Sequence, residues 1–202
     1  MFICIEELLH IWQKNPRERR LIGIDWGEKR IGIAVSDRSG IIASPLTTVL
    51  FKQMKKERRV IASQNGQVVR AAKSKEQLFN ETVQDVAAVV EREHPIAISF
   101  GVPLNMNGSC GVQYDKALAF AEALSEVVTP AIFLADERLS SAAVEKAMIQ
   151  ADLTRAKRAK CIDRTSAAYV LQGVVDQLNF MLVPAGRRPN LIAHDDDQAH
   201  QP

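Results

Sequence analysis

Acidic residues occur at three separated places where the neighbouring sequence is apolar. Asp25 lies inside one apolar run, and the pair Asp136 and Glu137 directly follows another. Asp163 lies four residues before Ala167, where the apolar stripe of a predicted helix begins. A carboxylate in apolar surroundings loses hydration unless a cation, hydrogen bonds or solvent meets it. A strand end or a helix cap would explain each acid singly, but together they predict one shared acidic site.

Carboxylates without histidine or cysteine in their company suit hard divalent cations such as Mg²⁺ or Mn²⁺. The four histidines form no cluster, and the three cysteines lack the spacing of a zinc site. In phosphoryl chemistry such cations activate water, neutralise phosphate oxygens and stabilise the leaving oxygen. The pattern therefore predicts metal-dependent hydrolysis of phosphate esters. Adjacent strand residues face opposite ways, so only one of Asp136 and Glu137 is expected to face Asp25, and periodicity does not choose between them.

Basic residues lie close to these acids in sequence, although the formal net charge of the chain is only +2. Local clustering must therefore supply any attraction to nucleic acid. The candidates for binding phosphates are Lys29, Arg30, Arg138, Arg155, Lys157, Arg158 and Lys160. The last four belong to the segment TRAKRAKC, which we interpret as a flexible basic loop, with ordinary solvated charge as the alternative.

The elements that must position these residues alternate between strand and helix patterns. The β-rich runs 21–26 and 30–36 predict a hairpin that carries Asp25, and short apolar strands are predicted at 96–100 and 131–135. Apolar stripes predict helices around 83–90, 117–128, 144–151 and 167–178. Small residues at 166–168 and Gly173 should let the last helix approach the sheet closely. This order predicts a mixed α/β sheet with one core.

Three further segments have recognisable patterns. Residues 1–15 predict a short amphipathic helix that packs on the domain. The dipeptide Asn65-Gly66 favours a type I′ turn and predicts a second hairpin between Val60 and Ala71. The glycine-rich segment 101–111 connects a strand to a helix, which suits either backbone amides that approach a phosphate or a simple tight turn.

The composition, 202 residues with 47% hydrophobic and 25% charged side chains, is that of an ordinary soluble protein, and the length leaves room for one domain or at most two small ones. We expect a helical extension at 1–20, a catalytic domain at 21–184 and a polar tail at 185–202. No apolar run approaches the roughly 20 residues of a membrane helix, and acidic residues follow the short apolar N-terminus. A cytoplasmic protein without membrane contact is therefore expected, and unpaired cysteines fit a reducing cytosol.

Four blocks, IGIDWGEKRIGIAVSDRSGIIASPL, GVPLNMNGS, ADERLS and IDRTSAAYVLQ, occur in the order in which the YqgF family of ribonuclease H-like, Holliday junction resolvase-like proteins has them. The chain resembles that family over most of residues 21–180. The resemblance implies a ribonuclease H-like fold, a five-stranded mixed sheet with helices on both faces. It also implies a nuclease centre in which Asp25, Glu137 and Asp163 are catalytic and hold Mg²⁺ or Mn²⁺. Of the adjacent pair Asp136 and Glu137, the resemblance therefore selects Glu137 as the site residue.

The resemblance implies a nucleic-acid substrate, with a precursor of 16S ribosomal RNA, processed at its 5′ end, favoured over a four-way DNA junction, and a monomer or homodimer. The chain departs from the family pattern in a longer 51–80 segment and in Asn107, where an Asp is common. A non-catalytic nucleic-acid-binding or ribosome-assembly factor of the same fold is the main alternative. An actin-like kinase or ATPase is opposed by the length of the chain and by the lack of a second Asp-x-Gly hairpin.

Overall fold

The structure, a computed structural model, describes residues 1–52, 73–104, 108–136 and 155–183, with side chains from 165 onward in the last range. The strands are β1 (Phe2–Ile3), β2 (Leu21–Trp26), β3 (Arg30–Ser36), β4 (Ala43–Leu50), β5 (Ala97–Val102) and β6 (Ala131–Asp136). The helices described are α1 (Ile5–Lys14), α2 (Lys75–Glu93), α3 (Val112–Ser125) and α4 (Arg155–Leu182).

The strands form one mixed sheet in the order β1-β6-β5-β2-β3-β4. Strands β2, β3 and β4 form an antiparallel meander, whereas β5 runs parallel to β2, β6 to β5 and β1 to β6. The mixed α/β sheet is confirmed, but it has a sixth strand that the sequence did not predict. Residues Phe2 and Ile3 pair with Ile132 and Phe133 and cover the β6 edge, so the N-terminal segment is a strand followed by the expected helix.

Helices cover both faces of the sheet, as expected. Successive residues of a strand face opposite sides, and in the central strands the residues on both sides are buried. On one face Ile22, Ile24 and Trp26 pack with buried residues of α2 and α3. On the other face Leu21 packs with buried residues of α1 and α4, which include Trp12. The central strands β2 and β5 are thus buried on both sides.

Two helices begin earlier than the apolar stripes predicted. Helix α2 begins at Lys75 because Ser74 and Gln77 form a reciprocal capping box, Ser74 Oγ accepting from the Gln77 backbone N–H at 3.1 Å. Helix α4 begins at Arg155, so the interpretation of TRAKRAKC as a loop is wrong for the residues from Arg155 onward. Arginine, lysine and alanine are strong helix formers, and no glycine or proline interrupts this stretch. Asp163 therefore lies inside the helix and does not cap it.

Several predicted features lie outside the described residues: the hairpin around Asn65-Gly66, the helix at 144–151 and the tail from 185. The described residues on either side of 53–72 lie close together, because Lys52 and Lys73 both form ion pairs with Glu81 of α2. In the described part of the chain, no helix has the length and apolar character needed to cross a membrane.

Candidate active site at the carboxyl edge of the sheet

Asp25 is half-buried on β2 between two glycines of the neighbouring strands. It pairs with Gly32 of β3 on one side and with Gly101 of β5 on the other. One strand farther from Asp25 on each side, Gly32 pairs with Thr48 of β4 and Gly101 pairs with Ala135 of β6. Because glycine has no side chain, the two strands that flank Asp25 leave open space on either side of its carboxylate. A ligand can approach the carboxylate there without meeting a neighbouring side chain of β3 or β5 at that level.

Asp25 lies on the face of the sheet that α4 covers. It shares this face with Gly23, where an added Cβ would lie 2.8 Å from Leu171 Cβ and 3.1 Å from the Ala167 carbonyl oxygen. Ser166, Ala167 and Ala168 are all buried at this contact, which confirms that small residues bring the helix close to the sheet. Gly173 does not continue the contact as expected, since a Cβ there would meet nothing within 4 Å.

The direction of α4 follows from its hydrogen bonds to the loop between β3 and β4. Gln172 Nε2 donates to the Ile41 carbonyl at 2.9 Å, and Asn179 Nδ2 donates to the Gly40 carbonyl at 2.7 Å. This loop lies at the amino end of β2, because β3 is antiparallel to β2. Helix α4 therefore runs against β2, and its earlier turns lie toward the carboxyl end of the strand.

The backbone of Asp163 lies one helical turn before Ala167, about 6 Å along the axis. Asp25 lies two residues beyond Gly23, about 7 Å along the strand and in the same direction. The helix and the strand thus bring these two positions to a similar level of the sheet. The side chain of Asp163 lies outside the described residues.

The third acidic place lies at the end of β6. Asp136 is exposed and pairs with Val102, whereas Ala135 pairs with Gly101 at the level of Asp25. Asp136 consequently faces the side of the sheet opposite to Asp25. Glu137 lies outside the described residues. Since β2, β5 and β6 are parallel, their carboxyl ends form one edge, which is where ligands bind in open α/β sheets.

The basic candidates fall in two groups near this edge. Both residues of the first group are exposed beyond the carboxyl end of β2: Lys29 lies in the turn between β2 and β3, and Arg30 is the first residue of β3. Arg155, Lys157, Arg158 and Lys160 occupy the first two turns of α4, where there is no acid in the first turn. Cations at a helix N-terminus oppose the helix dipole, so a bound polyanion would relieve that repulsion. Arg138 lies outside the described residues.

The donor set fits a hard divalent cation, because the three acids that the sequence singles out offer only carboxylate oxygens. Among the described residues, no three His, Cys, Asp or Glu side chains lie close enough together to hold a metal ion. Asp25 is the one member of the proposed set whose side chain the structure describes. The space that Gly32 and Gly101 leave around it is the structural feature that favours a bound ion.

The described parts of the glycine-rich segment after β5 form a short turn. Leu104 pairs with Cys110, and Gly108 has a positive φ of 80°. Gly111 follows as the N-cap of α3, with no side-chain cap. Sequence analysis missed a pocket beside this turn, lined by Trp26, Pro103 and Gln113 among others. Its walls come from three separate segments, so no local pattern could have predicted it.

Comparison with known proteins agrees with the motif order. A family model described as RuvX, Holliday junction resolvase, matches residues 19–67 and 57–177. A protein of Clostridium kluyveri named "Putative pre-16S rRNA nuclease" is 34% identical over 160 residues, which is 79% of this chain and 98% of that protein. A protein of Ruegeria pomeroyi with the same name is 38% identical over 163 residues, 81% of this chain and 90% of that protein.

A structure of Thermus thermophilus RuvC in complex with a Holliday junction substrate is also similar, with 15% sequence identity and a TM-score of 0.47 over 80% of this chain and 97% of that chain. The family model covers most of the chain from residue 19 to residue 177. The chain therefore belongs to the RuvX family, which is the YqgF family whose four sequence blocks it carries.

Proposed function

We propose that this protein is a divalent-metal-dependent nuclease that hydrolyses phosphodiester bonds, with the 5′ end of a 16S ribosomal RNA precursor as its substrate. The observation that carries the proposal is the position of Asp25. Its carboxylate lies between two glycines at the carboxyl edge of three parallel strands, under the early turns of a closely packed helix. The names of the two relatives support a nuclease of ribosomal RNA precursors, and the cytoplasm is where such precursors occur in bacteria.

Asp25, Glu137 and Asp163 are the proposed ligands of Mg²⁺ or Mn²⁺. Such an ion supplies the activation of water and the stabilisation of the leaving oxygen when it is bound. The two glycines beside Asp25 keep room for the ion and for a phosphate. The position of Asp136 on the opposite face favours Glu137 as the member of that pair that joins Asp25. The close contact of α4 with Gly23 fixes the distance between the helix and β2.

The proposed role of the basic residues is to hold the phosphates on both sides of the cleavage position. Lys29 and Arg30 serve this role from the hairpin turn, Arg155, Lys157, Arg158 and Lys160 from the start of α4, and Arg138 from beyond β6. An RNA precursor is favoured over a DNA junction by the names of the relatives, whereas the description of the family model favours the junction.

The test compares two acids that differ in the face they occupy. Purified protein with Mg²⁺ or Mn²⁺ should cleave a 16S precursor fragment. Asp25→Asn should reduce the rate of cleavage by at least about 100-fold. Loss of a group that hydrogen-bonds a metal ligand already costs about 10–100-fold, and loss of the ligand itself should cost more. Asp136→Asn, on the opposite face, should stay within about twofold of the unchanged protein. Cleavage of a four-way DNA junction is measured in parallel.

Equal rates for Asp25→Asn and the unchanged protein would reject the proposed centre. Binding of the RNA without cleavage, at any concentration of either metal, would favour a non-catalytic ribosome-assembly factor. Faster cleavage of the junction than of the RNA would replace the proposed substrate with DNA.

A further inference from the structure

We propose that the exposed side of α4, together with the end of the loop before β4, binds the same surface of a second copy of this chain. This inference does not depend on the proposed nuclease function. The surface, which we call the α4 patch, consists of Ile41, Ile42, Tyr169, Gly173, Asp176 and Phe180. Both isoleucines are 61% exposed, and Tyr169 is 52% exposed. Contiguous apolar surface marks sites of interaction.

The α4 patch is continuous across the helix and the loop. Its four helical members are four, three and four residues apart, the spacing that places side chains on one side of a helix. The loop lies beside this side, because Gln172 Nε2 donates to the Ile41 carbonyl at 2.9 Å. Gln172 Oε1 also accepts from the Ala43 N–H at 2.7 Å. The backbone on both sides of Ile42 is thus tied to the helix.

Gly173 lies in the middle of the helical part of the patch. An added Cβ would meet nothing within 4 Å, so packing within the described part of the chain does not require a glycine there. A glycine inside a helix is less favourable than an alanine, because it loses more conformational freedom on folding. The missing side chain leaves a shallow gap between exposed apolar groups, into which a side chain of a second molecule can pack.

The composition and the size of the patch fit a weak interface. Asp176 is its only charged residue, although 25% of the residues in the chain are charged, and the cores of interfaces are depleted of charge in the same way. The four large apolar side chains expose an area on the order of 400 Å². With the polar rim that surrounds such a core, two copies would bury roughly 1,200 Å², the low end for specific complexes.

The spacing along α4 is self-complementary, which favours a second copy as the partner. A two-fold axis at right angles to α4, halfway between Gly173 and Asp176, makes the two helices antiparallel. It places Tyr169 of one copy at the level of Phe180 of the other, because these residues lie equally far from the axis. Gly173 comes to the level of Asp176 in the same way, so the glycine leaves room for the carboxylate.

The same axis brings the two loops together. Ile41 is held at the level of Gln172, about 4 Å along the helix from the axis. Rotation about an axis in the interface keeps both loops on the same side of the helix pair, so the isoleucines of the two copies face each other. Because α4 runs against β2, the carboxyl edges of the two sheets then point in opposite directions. Both candidate active sites stay accessible.

The nearby edge of the sheet is a poorer contact for a second copy. The edge strand β4 contains Pro45, which has no N–H to donate to another strand. Its pairing with β3 is also irregular at this point, between Ile33 and Ala34. Both features oppose the addition of a strand, so the helix face is the better interface.

Sedimentation equilibrium of the full-length protein, from about 1 to 200 µM, tests the proposal. We expect a monomer–dimer equilibrium with a dissociation constant of about 10–100 µM, since the interface is small. Ile42→Asp and Tyr169→Asp each bury a charge in the interface and should raise this constant at least about tenfold. The matched control is Val112→Asp, at an apolar residue of α3 that is 69% exposed outside the patch, and it should change the constant by less than about twofold.

Asp176→Asn should have the opposite effect. The proposed axis brings the two Asp176 carboxylates close together, where they repel each other. Asparagine keeps an oxygen that can accept from Gln172 Nε2, which donates to Asp176 Oδ1 at 2.8 Å. We therefore expect the dissociation constant to fall about threefold or more. A rise, the result expected if the patch binds a basic partner, would overturn the two-fold arrangement.

Cross-linking tests the position of the axis. In a protein whose three cysteines are replaced by serine, Gly173→Cys should give a disulfide-linked dimer on mild oxidation. The two Cα atoms at this position would lie about 5 Å apart along the helices, within the reach of a disulfide. Glu91→Cys, at an exposed residue of α2 on the opposite face, should give none. Equal cross-linking of the two variants would overturn the axis.

A full-length protein that stays monomeric at 200 µM would overturn the dimer. If removal of residues 185–202 then produced a dimer, the patch would be covered by the tail of its own chain, and the proposal would be rejected in that form as well. Equal effects of Ile42→Asp and Val112→Asp would place the interface elsewhere. The cleavage rate per chain is expected to be the same in Ile42→Asp as in the unchanged protein, because the patch lies away from Asp25.

Discussion

At the scale of single residues, two buried serines show how hydrogen bonds decide whether a buried polar group stabilises this core. Ser36 is 2% exposed; its Oγ accepts from the Leu21 N–H at 2.8 Å and donates to the Arg19 carbonyl at 3.2 Å. Ser99 is 1% exposed, and its Oγ has no partner among the described residues. The Ser36 hydroxyl links β3 to the start of β2, whereas burial of the Ser99 hydroxyl costs desolvation free energy that no hydrogen bond among the described residues offsets.

Replacement of the two serines by alanine should therefore have opposite outcomes. Ser36→Ala leaves the buried Leu21 N–H without an acceptor and should lower the free energy of unfolding by about 1–3 kcal/mol. Ser99→Ala should change it by less than about 0.5 kcal/mol or raise it. Urea denaturation of the two variants measures both values. An equal loss in the two proteins would contradict this reading of the core.

Asp37 organises the turn between β3 and β4. Burial would raise the pKa of its carboxyl, but hydrogen bonds from the Ser39 hydroxyl and from the backbone N–H groups of Ile42, Ile41 and Ser39 outweigh this and lower the pKa to about 2. A pKa that folding lowers stabilises the fold above the unfolded value and stops doing so as the pH falls through the folded value. The same loop accepts the hydrogen bonds from Gln172 and Asn179 that hold α4.

We therefore expect the stabilising effect of Asp37 to be complete at neutral pH and to be lost between about pH 4 and pH 2. Asp37→Asn should be less stable than the unchanged protein at pH 7, and the difference should shrink over this acidic interval. Thermal unfolding across the pH range follows the difference. A difference that is constant from pH 7 to pH 2 would contradict the assignment.

At the scale of elements, the contact between α4 and β2 is the feature on which the candidate site depends. Gly23 is the point where the helix touches the strand backbone, while Gly173 of the same helix has open space around it. Gly23→Ala forces the helix away from the sheet and should cost about 1–3 kcal/mol of stability. It should also lower the cleavage rate, because α4 carries Asp163.

Gly173→Ala is the control for this variant. A Cβ at this position meets nothing, and alanine is the better helix former, so stability should rise by about 0.5–1 kcal/mol with cleavage unchanged. Denaturation and cleavage assays on the two variants separate the effects. Full activity in Gly23→Ala would show that the close approach of the helix is not needed.

Long elements with a clear period were predictable, and features made by tertiary contacts were not. The hairpin of β2 and β3 was fixed by its alternating apolar residues, and the motif blocks pointed to Asp25. The two-residue strand β1 could not be predicted, because Phe2 and Ile3 form a strand only by pairing with β6. The early start of α4 was missed because its first turns have charge and helix propensity but no apolar stripe.

At the scale of the whole molecule, the proposed site would join distant segments of the chain at one edge of the sheet. A net charge of +2 gives no overall field for nucleic acid, so the proposed function depends on cations placed at this edge, on the hairpin turn and at the start of α4. Sequence blocks indicated the acids, and the clustering of basic residues near them indicated the cations. The face that Asp136 occupies, and the pocket beside Trp26, became visible only when the strands were paired.

The most direct test of the central claim is to measure by titration calorimetry how tightly Mn²⁺ binds to the protein and to variants of its acidic residues. Asp25→Asn, Glu137→Gln and Asp163→Asn should each weaken Mn²⁺ binding by at least about tenfold, whereas Asp136→Asn should leave it within about twofold. This result would join three distant segments in one metal site. Unchanged Mn²⁺ affinity in any of the three variants, or a loss in Asp136→Asn as large as in Asp25→Asn, would contradict the account.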